Sequence, residues 1–514
     1  MLRTASAQAP LRARRRGRSR RAASEPFPLR RGAKLPVSRE IHASTLLAAV
    51  GLLTIAGAAI RLATTRGLSL DEMTAADQAH LSFGALIARL ADASGYPPLH
   101  PVLEWITLRE IGGSDLALRL PSLIAGVALI PVIAWLAREV FDRRTAVVAA
   151  LFATVMPILV WYSQEARDYA LLALFATLAL CGAARIVKRG APSDWALYTV
   201  AAALAVWSDW FGILTVLTTQ VGLLVVCLRR RRAREPSRRF VVGWVASTAG
   251  LACQFGALGV LAFSQAHHGA LGVAGATNVG ASAVSFYSVV SNVSWALFGF
   301  QPAGVTQVLS AVWPLAMLAC LLMVGRGVSV PASALLACAI VPLVALLVLG
   351  IAFPGTFDVR YFVASVPPVV VLMARATTNW PRGAPARVAV VATVFVVLTG
   401  ALVNQQLNPH NPRRYDYHQA FAQVKADANP GTRVLLEPAA LGSVLRRYAP
   451  GVHGRGLTTR LPTRAQARTV ILVISFANRG RVRALRDRDI GALRATRRLI
   501  GHRVYSGVDV WRFR

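Results

Sequence analysis

Acidic residues are scarce in this chain: 23 Asp and Glu stand against 57 Lys and Arg in 514 residues, a formal net charge of +34. In a soluble protein such an excess of cation would point to nucleic acid. That class is set aside by the long stretches that lack charge altogether, since 55% of the residues are hydrophobic and the mean hydropathy is +0.50. Cysteine is equally sparse. All five (Cys181, Cys227, Cys253, Cys320, Cys338) fall in apolar segments, which excludes a disulfide framework or a cysteine metal site outside a membrane. No small-residue cleavage site follows the first apolar run, so no cleavable signal is expected.

What is abundant is apolar sequence of bilayer length. Ile41 to Ile60 carries His42 as its only ionisable residue, and about 20 residues at about 1.5 Å each cross a hydrocarbon core. Further apolar segments lie near 117–137, 145–162, 169–187, 195–211, 212–228, 240–263, 305–324, 332–352, 361–379 and 387–405. Eleven crossings are expected, with the termini on opposite sides. The two sets of loops then sort by charge, one set holding 17 Lys and Arg and the other 6. The richer set is assigned to the cytoplasm. Acids run the other way, 11 outward against 4 inward, and acids contribute little to topology, so function is the better reason for them.

Residues 1–40 hold 12 Lys and Arg against Glu25 and Glu40 and have no apolar period, which reads as a disordered cytoplasmic arm anchoring at lipid headgroups. The outer loop 61–116 is expected to carry helices lying on the surface: Phe83, Leu86, Ile87 and Leu90 have helical spacing, and 97–111 is apolar but short and contains Glu104 and Arg109. From 406 onward short β-rich runs alternate with helical patterns, which predicts a small extracytoplasmic α/β domain.

Three polar clusters stand at outward ends of spans. Asp71 and Glu72 open the first. Ser69-x-x-Glu72 fits a capping box, so Glu72 has a structural alternative, whereas Asp71 is the candidate general base. The second is Trp161-Tyr162-Ser163-Gln164-Glu165-Ala166-Arg167-Asp168-Tyr169, more polar than a turn needs, and ionisable groups at that depth mark a binding pathway. The third is Phe357-Asp358-Val359-Arg360-Tyr361-Phe362, where Arg360 suits a phosphate and has snorkelling or pairing with Asp358 as its plain alternative. Arg119, in RLPS, is a weaker candidate of the same kind. His267 and His268 form a weak metal signal, and Trp207, Asp209 and Trp210 read as interfacial.

The order SLDE, YPPLHP, LALRLPS, WYSQEARDYALL and DVRYF resembles glycosyltransferase family 39 and its relatives, the protein O-mannosyltransferase and aminoarabinose-transferase type of GT-C enzymes, over most of residues 41–405. The resemblance implies an all-α polytopic GT-C fold of about 11 spans, with the small α/β domain appended. It also implies transfer of a sugar, mannose or another hexose, with inversion from a polyprenyl-phosphate donor to an extracytoplasmic glycan, lipid or protein acceptor. On that likeness Asp71, with Glu72 beside it, is the catalytic carboxylate. Glu165, Arg167 and Tyr169 shape the acceptor and donor site, and Arg360 with Tyr361 lies near the lipid phosphate. Tyr96 stands where relatives often have His before Pro-Pro-Leu, and His100 follows instead. Tyr96, His100 and Arg119 complete the substrate-binding candidates. A divalent metal is left open, membrane lipid is the expected surrounding partner, and nucleic acid is not expected. The rival class is a transporter or flippase, which would carry polar residues midway along several interrupted spans.

Overall fold

The computed structural model describes residues 42–514 apart from 64–65, 93–94, 235–236, 268–283, 303, 307, 310–329, 353–356, 381–382, 412, 458–461, 463–465 and 476–479. The basic arm, His268 and most of the expected 305–324 span lie outside the described residues. Helix α1 (Ala43–Leu62) is the first apolar run and spans 20 residues. The expected surface helices follow as α2 (Leu70–Ala79), α3 (Phe83–Asp92) and α4 (Leu99–Glu110). Then come α5 (Asp115–Val140), α6 (Arg143–Val155), α7 (Pro157–Ser163), α8 (Tyr169–Lys188), α9 (Pro192–Ser208), α10 (Gly212–Arg232) and α11 (Arg238–His267). They are followed by α12 (Phe286–Phe298), α13 (Val330–Ala352), a 3-10 turn (Val359–Ser365) running into α14 (Val366–Asn379), and α15 (Ala384–Leu407). Eight described helices are long and apolar enough to cross a membrane, and the bent pair α6–α7 makes a ninth; α9 has 17 residues and is shorter than these.

Among the described residues, the break between α6 and α7 departs from a simple span. The sequence reads 145–162 as continuous, but Pro157 has no N–H and its ring clashes with the carbonyl four residues back, so the chain bends by 59°. Carbonyls freed in hydrocarbon need donors. Arg61, fully buried at the end of α1, donates to Ala153 O at 3.2 Å and Thr154 O at 3.3 Å. The bend turns α7 so that its last residues and the Gln164–Asp168 turn face α1 and α2. Small residues let the neighbouring helices approach closely: Ala146, Ala149, Ala150 and Ala153 of α6 are fully buried in the main core.

After α15 the chain forms α16 (Tyr417–Asp427), β1 (Thr432–Glu437), α17 (Leu441–Tyr448), β2 (Gly454–Gly456), β3 (Thr469–Ser475), α18 (Gly480–Thr496), β4 (Leu499–Tyr505) and β5 (Val508–Phe513). The sheet order is β2-β1-β3-β5-β4, parallel among β2, β1 and β3 and antiparallel for β3, β5 and β4. The alternation in β3 sets both faces. Ile471 and Val473 turn to the side of α16 and α17, while Val470, Leu472 and Ile474 turn to α18.

The first of those cores does not stop at the domain. Leu68, Met73, Ala76 and Ala79 of the α2 region, with Leu118 and Ala166, pack into the same cluster as Val444 and Leu445 of α17. Polar contacts frame it. Arg446 pairs with Asp77 at 3.0 Å, Ser443 Oγ donates to Asp77 at 2.7 Å, Arg447 pairs with Asp115, and Leu68 N donates to Tyr448 Oη at 3.4 Å. The C-terminal domain is thus seated directly on the helix that carries Asp71.

Candidate active site

Helix α2 begins on the capping box that its sequence announces. Ser69 Oγ accepts Glu72 N at 3.3 Å, and Ser69 N donates to Glu72 Oε2 at 2.8 Å. Glu72 does more than cap. Its side chain is 2% exposed, pairs with Arg119 (Nε to Oε1, 2.7 Å; Nη2 to Oε2, 3.0 Å) and accepts Ala166 N at 2.8 Å. Arg119 is used up in turn, since it also donates to Arg66 O and Gly67 O at 3.0 Å each. Burial alone would raise the Glu72 carboxyl, but the Arg119 charge and these donors hold it below the usual range. Glu72 and Arg119 therefore form a buried fastening between α2, α5 and the Gln164–Asp168 turn. They do not line an opening.

One residue earlier on the helix, Asp71 points the other way. Its side chain is 52% exposed and its Oδ2 lies 3.7 Å from Arg360 Nη1. Arg360 also lies 3.4 Å from Asp358 Oδ2, and its guanidinium stands 5.2 Å from the centre of the Tyr361 ring. Asp358 caps the 3-10 turn by accepting Arg360 N at 3.2 Å, and it accepts Arg413 Nη2 at 2.7 Å. Burial would raise Asp358, but the charges of Arg360 and Arg413 hold its carboxyl well below the usual carboxylate range. It stands between two cations, Arg360 on the Asp71 side and Arg413 behind, and so holds the Arg360 guanidinium beside Asp71.

The second cluster closes the other side. Glu165 is pushed up to about 7 by burial and by the charges of Glu72 and Asp71, against Arg66 and Arg167. Arg167 lies over the Tyr96 ring at 4.4 Å and near Tyr169 at 5.7 Å. Its carbonyl accepts Ser122 Oγ at 2.7 Å, and His100 joins there, Nε2 3.1 Å from Ser122 Oγ and Nδ1 3.4 Å from Glu104. His100 is buried and braces the Arg167 carbonyl through Ser122. Tyr361 packs against Phe211, with ring centroids 4.5 Å apart and the planes tilted by 41°.

The structure thus brings Asp71, Glu165, Arg167, Tyr169, Tyr96, Arg360 and Tyr361 into one polar cluster, with Glu72, Arg119 and His100 buried next to it. Two residues join that the sequence did not single out. Arg413 follows the last span and reads as the start of a basic domain, yet it shares Asp358 with Arg360. Arg66 is stacked 3.4 Å over Trp161 and is lowered to about 10 by burial and the nearby Arg119 charge. Asp209, which reads as interfacial, is buried, and burial with the neighbouring Asp168 charge pushes it up to about 8. Among the described residues no group of three or more His, Cys, Asp and Glu is placed to hold a metal ion.

Residues 96–253 match the model of the family described as dolichyl-phosphate-mannose-protein mannosyltransferase. No curated protein matches the chain. Among solved structures, ArnT from Cupriavidus metallidurans bound to undecaprenyl phosphate aligns over 92% of this chain and 98% of its own, with a TM-score of 0.54 at 12% identity. Archaeal oligosaccharyltransferase AglB from Archaeoglobus fulgidus, in complex with an inhibitory peptide and a dolichol-phosphate, aligns over 83% of this chain and 69% of its own, with a TM-score of 0.51 at 13% identity. The likeness to family 39 carried by the motifs is borne out by the matched segment, and the chain is a polytopic membrane protein of the GT-C glycosyltransferase fold with a small C-terminal sheet domain.

Proposed function

We propose that the chain transfers a hexose, mannose being the first to test, from a polyprenyl-phosphate donor to a hydroxyl-bearing acceptor at the outer membrane surface, with inversion. The observation that carries this is the juxtaposition of a half-exposed carboxylate, Asp71, with Arg360, which shares the partly buried Asp358 with Arg413. In the reaction Asp71 takes the acceptor hydroxyl proton as its oxygen attacks the anomeric carbon. The bond from that carbon to the phosphate oxygen breaks on the opposite face, and the electron pair leaves with the polyprenyl phosphate. Arg360 and Arg413 would meet that growing charge, because guanidinium forks suit phosphate oxygens. Glu72 anchors the helix that presents the base. ArnT and AglB, the first solved with undecaprenyl phosphate and the second with dolichol-phosphate, support the choice of lipid carrier.

The test is transfer of radiolabelled mannose from polyprenyl phosphate mannose in membranes holding the protein, scored against membranes holding Asp71→Asn. Equal transfer by the two would remove the reading. The proposed orientation, with residues 1–40 in the cytoplasm and the C-terminal domain outside, rests on the charge sorting. A reporter active only in the cytoplasm, fused after Arg514, should be silent, and a strong signal would reverse the topology.

A further inference from the structure

Behind Arg167 runs a line of buried polar groups that the reaction drawn above does not use. Ser122 of α5 donates its hydroxyl to Arg167 O at 2.7 Å, and His100 Nε2 of α4 lies 3.1 Å from the same Oγ. His100 Nδ1 lies 3.4 Å from Glu104 Oε2, one turn further along α4. Ser122 and Glu104 are 0% and 1% exposed and His100 4%, so water does not complete their bonding. The turn that carries Glu165 and Arg167 is thus held from two sides, by Ala166 N to Glu72 at 2.8 Å and by this line from α5 and α4. Glu104 feels the charges of His100 on its own helix and of Arg167 and Asp168 on that turn. On the elements packed against α4, Asp71, Glu72 and Asp77 of α2 meet Arg360, Arg119 and Arg446, Asp115 of α5 meets Arg447, and Asp209 after α9 senses Asp168 and Arg167.

Counting protons along the line fixes their places. A hydroxyl has one proton to give, and 2.7 Å is the usual O–H···O distance, so Ser122 gives it to the Arg167 carbonyl. Its oxygen then accepts from His100, which must carry a proton on Nε2. That leaves Nδ1 facing a carboxyl. A bare ring nitrogen and an ionised carboxylate would both be acceptors, so one more proton lies between them, on the ring or on Glu104. Burial pushes the Glu104 carboxyl up, against the charges of His100 and Arg167. We infer that Glu104, His100 and Ser122 are positioning residues for Arg167, and that their brace holds only while His100 and Glu104 share this additional proton. Its effect on turnover rests on the proposed function. When the proton leaves to solvent as pH rises, the remaining ring proton moves to Nδ1 to meet the ionised Glu104. Nε2 becomes an acceptor, the Ser122 hydroxyl turns to it, and the Arg167 carbonyl loses its donor.

The experiment follows mannose transfer by the full chain in nanodiscs from about pH 5 to 9, across the range in which a histidine pair titrates. Polyprenyl phosphate mannose is kept saturating, which removes the change of lipid affinity expected of Glu165. Wild-type kcat should fall about tenfold toward high pH, the worth of one buried hydrogen bond. Glu104→Gln should keep the low-pH kcat and hold it flat, because its amide donates to Nδ1 at every pH and fixes the proton on Nε2. Ser122→Ala should start about tenfold lower and meet the wild type at high pH. A flat wild-type profile, or a Glu104→Gln that loses activity evenly and keeps the slope, would overturn the brace. The 15N spectrum of labelled histidine, with His100 identified by its absence in His100→Asn, tests the wild type without any activity. Nε2 should carry a proton below the transition and lose it above, and an unchanged Nε2 would sink the inference. A wild type that transfers no mannose at any pH would bring down the functional reading, while the spectrum still decides the brace.

Discussion

Asp71 and Glu72 are adjacent carboxylates on one helix, and the structure predicts opposite consequences for removing their charges. Asp71→Asn deletes a contact with Arg360 at 3.7 Å in which the carboxylate is 52% exposed. Solvent screens such a pair to about 0–1 kcal/mol, so the protein should insert, fold and bind polyprenyl phosphate nearly as before. Its turnover should fall about 10²- to 10⁴-fold, the usual loss when a general base is removed. Glu72→Gln instead breaks a 2% exposed ion pair and leaves Arg119 as a buried cation facing a neutral amide. Breaking such a pair costs about 3–5 kcal/mol. That variant should show a markedly lower unfolding temperature in detergent, with activity lost along with the fold. The assay is mannose transfer in membranes, run beside thermal unfolding and polyprenyl phosphate binding. A well-folded Asp71→Asn with near-normal turnover would refute the base assignment. A stable, lipid-binding Glu72→Gln that transfers nothing would show that the two roles had been exchanged.

Arg360→Lys keeps the charge and loses the planar fork, so affinity for polyprenyl phosphate should drop about tenfold; unchanged affinity in both Arg360→Lys and Arg360→Ala would leave Arg360 only its pairing with Asp358. Arg413→Ala should weaken the same binding, because Asp358, held by two cations, would then draw Arg360 toward itself. A carboxyl raised to about 7 favours the fold at low pH and loses that advantage as pH rises through 7. Above that point Glu165 adds an anion beside Asp71, so polyprenyl phosphate affinity should fall a few-fold between about pH 6 and 8. Glu165→Gln should flatten the profile, and an unaltered profile would show that another group titrates. Tyr448→Phe with Arg447→Ala loosens the seat of α17 on the segment before α2 and on the start of α5, and should lower kcat several-fold with little change in lipid binding; a matched loss in both would mean general destabilisation.

The bundle was legible in the sequence because bilayer length is a one-dimensional property. Twenty apolar residues announce a span wherever they occur, and α1, α5, α8 and α15 stand where their runs predict. The surface helices were legible from helical spacing, and the start of α2 from Ser69 and Glu72, because a cap joins residues three apart. Pro157 was harder to interpret. A proline in an apolar run is tolerated in membranes when another group supplies the lost hydrogen bonds, and that group, Arg61, is more than ninety residues away. The same distance hid the partner of Glu72: Arg119 is 47 positions off, so the sequence leaves capping and catalysis as rivals for one side chain.

Charge counting sorts the acids into one set of loops, 11 against 4, but a count does not separate an acid enclosed with arginine from one that also meets solvent. In the structure Glu72 has Arg119, and Asp358 has Arg360 and Arg413, whereas Asp71 shares Arg360 with Asp358 and keeps half its side chain open to solvent. A base must reach a substrate hydroxyl as well as carry charge. Exposure therefore divides these three carboxylates by role, and it depends on which way α2 is rotated. That rotation is set by the Glu72–Arg119 pair on one side and by α17 of the C-terminal domain on the other, contacts that join residues far apart in the chain.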